Sequence, residues 1–144
     1  MFNLPPEERI RAWRTFRLGL KKFDKLECLD EVAKFWAQAR LSNQYLSHDL
    51  PETWPTAWEL VHSNDYDNVG VALGIFYTLY YSEIFDPESI MYNVYRTSNE
   101  IINTVEVDNH VLNYNINRVT AKEDIDILPT MQYNYKDIID KGNQ

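Results

Sequence analysis

Residues 52–74 read ETWPTAWELVHSNDYDNVGVALG, and residues 110–119 read HVLNYNINRV. Pro55 suits the first position of a short helix running to about His62. Asn64 and Asp65 break that helix. A more apolar helix is predicted from Asp67 to about Ser82, with Val69, Ala72, Ile75, Phe76 and Leu79 on one face. Gly70 and Gly74 fall inside it. Each costs about 1 kcal/mol against alanine in a helix interior, which points to close packing against a neighbouring element. The second stretch alternates instead: His110, Leu112 and Tyr114 share one side of a strand, Val111 and Asn113 the other.

The same two periods extend outward from these stretches. Asp86-Pro87 ends the helical half. Ile90, Tyr92 and Val94 alternate beyond it, as do Ile102, Thr104 and Glu106. Asp108-Asn109 reads as a tight turn between strands, and Thr130 to Tyr135 offers a last short strand. Upstream, Pro5 and Pro6 open a helix with Glu7 and Glu8 in its first turn, where acids suit the dipole. Ile10, Trp13, Phe16 (or Arg17) and Leu20 recur at helical spacing. Asp24 caps a second helix, with Glu27 completing a capping box and Leu29, Val32, Trp36 and Ala39 as its apolar stripe. Helices followed by a meander of strands make an α+β layout with a small antiparallel sheet. The 144 residues amount to one domain. It divides into a helical part (1–47), a core (52–135) and a tail (136–144).

The net charge of −8 sets the chain against nucleic-acid phosphate and anionic lipid. Positive charge gathers early, at Arg9, Arg11, Arg14, Arg17 and Lys21. That pattern is either a solvated basic helix face or a docking face for an acidic partner or a nucleic acid. A lone cysteine, Cys28, permits no intramolecular disulfide. No apolar run approaches the roughly 20 residues of a membrane span. The opening MFNLPPEE has neither a basic start nor an apolar stretch of the secretory kind, so a cytoplasmic setting is expected. No glycine-rich phosphate loop and no Gly-x-Ser-x-Gly occurs, so no cofactor is expected. His48, Asp49, His62 and Asp65 lack metal-ligand spacing, so no metal is expected either.

The two quoted stretches together resemble the bacterial transglutaminase-like cysteine proteinases, whose core is papain-like. In that family a tryptophan is followed by a proline and a glutamate, as Trp54, Pro55 and Glu59 are here. An Asp-Cys-Glu-Asp motif then opens a helix of small apolar residues. Asp65-Tyr66-Asp67-Asn68 stands in its place. A histidine lies on one strand and a Val-Leu-Asp segment on the next, where this chain has Val111-Leu112-Asn113. Arg118-Val119 matches an Arg-Val that often follows.

The resemblance implies a nucleophile position at Tyr66, a base position near Ile102 in Glu100-Ile101-Ile102-Asn103, and an orienting position at Asn113. Such chemistry needs a thiolate at a helix N-terminus, a histidine to take its proton and a third group to hold that histidine. Tyrosine and isoleucine supply neither of the first two. A non-catalytic protein is therefore expected, serving as a binding or assembly module with another protein as its partner. Its cleft would include Trp54, Trp58, Asp65, Tyr66, Asp67 and Asn113. Compact size and an Asn- and Tyr-rich composition suit a tailed-phage accessory protein, in the host cytoplasm or the virion. One alternative is a cysteine peptidase or amidase using Cys28 with His110 or His62. Another is a structural subunit of a virion or other assembly. The tyrosines, among them Tyr77, Tyr80, Tyr81, Tyr92, Tyr95, Tyr114, Tyr133 and Tyr135, are read as rings covering a half-buried sheet face rather than as a contact surface.

Overall fold

The computed structural model describes residues 1–42 and 46–140. Residues 43–45 and 141–144, which belong to the expected helical part and tail, lie outside the described residues. The helices are α1 (Pro6–Gly19), α2 (Lys25–Trp36), α3 (Ala57–Ser63), α4 (Asn68–Ser82) and a short α5 (Tyr135–Ile138). The strands are β1 (Met91–Arg96), β2 (Ile101–Val107), β3 (His110–Leu112), β4 (Val119–Ala121) and β5 (Met131–Tyr133). They form one antiparallel sheet of five strands in the order β4-β3-β2-β1-β5. The expected α+β architecture is the observed one.

Local chemistry sets most boundaries. Asp24 caps α2 by accepting from Glu27 N at 2.8 Å. Thr56 caps α3 through a full capping box with Glu59, so that helix begins at Ala57 rather than at Pro55. Asp108 and Asn109 turn the β2–β3 hairpin with φ of 50° and 64°, the left-handed pair that a type I′ turn requires. Two features depart from the sequence reading. The strands are not a simple meander, because β5 returns to the far edge of the sheet and pairs with β1. β4 was not anticipated, being only three residues long and too short to display alternation.

α4 carries more than the one apolar face expected. Residues 69–79 along it are all buried, because α1, α2 and α3 pack on it from one side and β1 and β2 from the other. A helix apolar on every side is the kind that fills the middle of a fold. Gly74 lets the ring of Trp36 lie against it. Thr78 accepts from both Trp13 Nε1 (3.0 Å) and Trp36 Nε1 (2.9 Å) and donates to Gly74 O (2.7 Å). Both acceptor sites and the one donor of that hydroxyl are thus used.

The sheet's inner face meets α4 through Tyr92, Val94, Val105, Val107 and Leu112. Across its outer face runs a polar chain. Lys122 Nζ donates to Glu106, Asn93 Nδ2 donates to Glu106, and Gln132 Nε2 donates to Asn93. Among the described residues no helix is long and apolar enough to cross a membrane.

Candidate functional site

A cleft of about 450 Å³ opens between the start of α4, the segment after α2, and the ends of β2 and β3. Asn68 and Val71 line it from α4, Ile101, Ile102 and Asn103 from β2, and Asn113 to Ile116 from the loop after β3. Leu41 (63% exposed) and Ile116 (73% exposed) stand as apolar lips. Asn113 sits in the left-handed region at φ 71°, where asparagine is tolerated. Its Nδ2 donates to the Asn103 carbonyl at 2.9 Å. The start of α4, β2 and the end of β3 therefore converge at one place.

The side chains that line it are the amides of Asn68, Asn103, Asn113 and Asn115, apolar groups such as Ile101, Ile102 and Ile116, and the carboxylate of Glu100. Tyr66 immediately precedes Asp67, the cap of α4, whose Oδ1 accepts from Gly70 N at 2.7 Å and whose Oδ2 accepts from Leu46 N at 2.6 Å. Its backbone is fixed by a bond from Ser42 N to Tyr66 O at 2.7 Å. Its ring turns into the core instead of the cleft, edge-on to Trp36 (5.4 Å) and Phe2 (5.6 Å). The hydroxyl is buried with no hydrogen-bond partner among the described residues. Burial pushes its pKa well above the ordinary phenol value, with Asp65 adding to the rise and Arg9 opposing it.

On β2, Ile102 pairs with Tyr95, and strand alternation puts its side chain on the outer face. The inward neighbours are Ile101, packed on the core, and Asn103, whose Oδ1 accepts from Tyr92 OH at 3.0 Å. Asn103, the last residue of the stretch expected to hold the base position, faces inward and lines the cleft. The period-two run Ile101, Asn103, Val105, Val107 was its signal. Of the expected cleft residues only Asn113 lines the cleft. Trp54 is buried on the sheet against Tyr92 (4.8 Å) and bonds Ser47 O through Nε1 at 2.7 Å. Trp58 faces α1, edge-on to Trp13 at 6.1 Å. Asp65 is exposed and Asp67 is occupied as the cap.

The early basic residues also separate. Arg9 is buried: Nε donates to Val61 O at 3.0 Å, and its two terminal nitrogens donate to Leu4 O and His62 O. It closes the C-terminus of α3 and does not belong to an exposed face. Arg11 pairs loosely with Glu7 at 3.9 Å. Arg17 lies 4.0 Å over the ring of Trp13. Arg14 and Lys21 are exposed.

Cys28 is fully buried in α2 within the core cluster. Burial raises its thiol pKa to about 11, opposite to the lowering that a nucleophile needs. Among the described residues no histidine bonds to it. His62 is exposed at the end of α3, and His110 begins β3 with a buried, unpartnered Nδ1. Among the described residues, no group of three or more His, Cys, Asp or Glu could hold a metal ion.

No family model matches the chain, and no curated protein matches it in sequence. Solved structures do. Legionella pneumophila LapG superimposes with a TM-score of 0.72 at 16% identity, over 90% of this chain and 76% of LapG. Its calcium-bound form gives 0.73 at 16% identity, over 93% and 78%. LapG has the transglutaminase-like fold, and identity at this level speaks to architecture alone. The helical layers, the five-stranded antiparallel sheet and the likeness to LapG together give this chain the transglutaminase-like fold.

Proposed function

We propose that the chain is a non-catalytic protein of this fold, acting as a protein-binding or assembly module through the cleft between α4 and β2. The observation that carries the reading is Tyr66. At the helix entrance, where the resemblance would put a thiolate, an aromatic ring is directed into the core against Trp36 and Phe2. Isoleucine and asparagine occupy the strand that would carry a base. Asn113 bonds a backbone carbonyl and so has no imidazole to orient. A lining of amides with a single edge carboxylate, Glu100, and two apolar lips suits a polypeptide.

Two measurements test this. Incubation with denatured casein should give no hydrolysis, and Cys28 should resist a thiol reagent until the protein is unfolded. Hydrolysis abolished by Cys28→Ser would overturn the reading in favour of a cysteine peptidase. A photoreactive residue at position 116 should form a discrete polypeptide adduct that Leu41→Asp removes. Adducts insensitive to Leu41→Asp would move the contact surface elsewhere.

A further inference from the structure

The α1–α3 side of the molecule carries two arginines, Arg14 and Arg17, that have no ion pair among the described residues. Ile10, Arg14 and Leu18 form one i, i+4 row along α1, and Leu18 is 56% exposed. Beside the row lies a shallow groove bounded by Ile10, Trp58, Glu59, His62 and Ser63, where Trp58 is 46% exposed and the Glu59 carboxylate is engaged by Thr56 N in the α3 capping box. Arg17 stacks on Trp13, stands 6.0 Å from Tyr81, and keeps a buried Nε without a hydrogen-bond partner among the described residues. Burial lowers the Arg17 pKa, and the charge of Arg14 lowers it further. Among the described residues neither arginine has an ion pair. A partly desolvated guanidinium facing a second one is a site for an anion.

A surface of the opposite character lies on the segment after β4. Glu123, Asp124 and Asp126 are exposed, with no ion pair among the described residues. Leu128 is 87% exposed, the most exposed large apolar side chain among them, and Ile127 is 37% exposed. Asp126 and Leu128 are two residues apart, a reach of about 7 Å in extended chain. Arg14 and Ile10 are one helical turn apart, about 6 Å along the axis. A leucine seated in the Ile10–Trp58 groove therefore brings the aspartate two residues before it to Arg14.

We infer that the α1–α3 face binds the 123–128 segment of a second copy of this chain, head to tail. The two patches differ, so the contact is heterologous and builds rings or open chains rather than a two-fold dimer. The inference is independent of the cleft and of any reading of its chemistry.

Sedimentation of the full chain over a range of concentrations tests it. At low salt the weight-average mass should climb above twice the 17.1 kDa monomer. At about 1 M salt, where charges are screened within about 3 Å, it should fall back toward the monomer. Arg14→Glu and Asp126→Lys, both at exposed positions, should each abolish association. An equimolar mixture of the two variants should restore it, since each supplies the patch the other lacks. A wild type that stays at 17.1 kDa overturns the proposal. So does association that survives both substitutions, or a mixture that stays monomeric.

Discussion

A β-carbon added to Gly74 would lie 2.4 Å from Cη2 of Trp36. That indole cannot readily step aside, because its N–H is bonded to Thr78 on the same helix. Overpacking of this kind costs roughly 1–3 kcal/mol, set against about 1 kcal/mol of gained helix propensity. Gly74→Ala is expected to destabilise by about 1–2 kcal/mol in urea unfolding. An unchanged or raised midpoint would mean that Trp36 has room to move.

Thr78→Val removes the shared acceptor of two buried indole N–H groups. Each orphaned donor costs about 1–3 kcal/mol, so a loss of roughly 2–4 kcal/mol is expected. Thr78→Ser should recover most of it. Little loss for Thr78→Val would show that the two indole bonds contribute little.

Tyr66 gives two predictions of opposite sign. Tyr66→Phe deletes a buried hydroxyl that has no partner among the described residues, so stability should be unchanged or rise by about 1 kcal/mol. Tyr66→Cys empties the space between Trp36 and Phe2 and should cost roughly 3 kcal/mol. It should also give no cysteine-dependent peptidase activity, since no histidine stands on β2. Turnover in that single variant would show that a base is present after all.

Arg9 and Arg14 are near neighbours in sequence with different expected effects. Arg9→Met leaves the carbonyls of Val61, His62 and Leu4 without their charged donor, a loss of about 2–4 kcal/mol. Arg14→Ala, at an exposed position, should stay within about 0.5 kcal/mol. Similar melting curves for the two variants would refute the clamp.

Alkaline pH should unfold the protein through its phenols. Burial raises Tyr66, Tyr77 and Tyr92 above the free phenol value, which is about 10. Their folded forms keep protons that the unfolded chain releases. Below about pH 10 their contribution to stability is complete. Above it, stability falls by up to about 1.4 kcal/mol per pH unit for each such group, until the folded pKa is reached. Urea midpoints should be nearly flat from about pH 7 to 9 and drop beyond 10. Native-state phenolate absorbance appearing near pH 10 for all tyrosines would contradict this burial.

Much of the fold was legible because it is written in short-range chemistry. Asp24, Asp67, Asp108 and Asn109 act where local rules put them, and of the two glycines of α4, Gly74 packs against a neighbouring element as expected while Gly70 meets only its own helix cap. The position of β5 was not legible, since nothing in a three-residue strand says which edge it joins. The site was harder still. Asp65-Tyr66-Asp67-Asn68 located the entrance of α4, yet the direction of the Tyr66 ring depends on Trp36 and Phe2, which are distant in sequence. Trp54 and Arg9 misled for one reason: an aromatic or a cation looks available in a sequence until the partners that occupy it are known. Asn103 was named only as part of a stretch, because a polar residue on an apolar strand face stands out once the face is fixed.

The burial of α4 on all sides bears on how the molecule comes apart. With helices on one side and strands on the other, neither half offers α4 a finished environment alone. The amide protons of residues 69–79 should then exchange with solvent only when the whole chain opens. α5 and the loop after β4 are free to open earlier and separately. Folding should be a single step in which the sheet and the helical layer close on α4 together, and a chain cut between α4 and β1 should have no stable form for either piece.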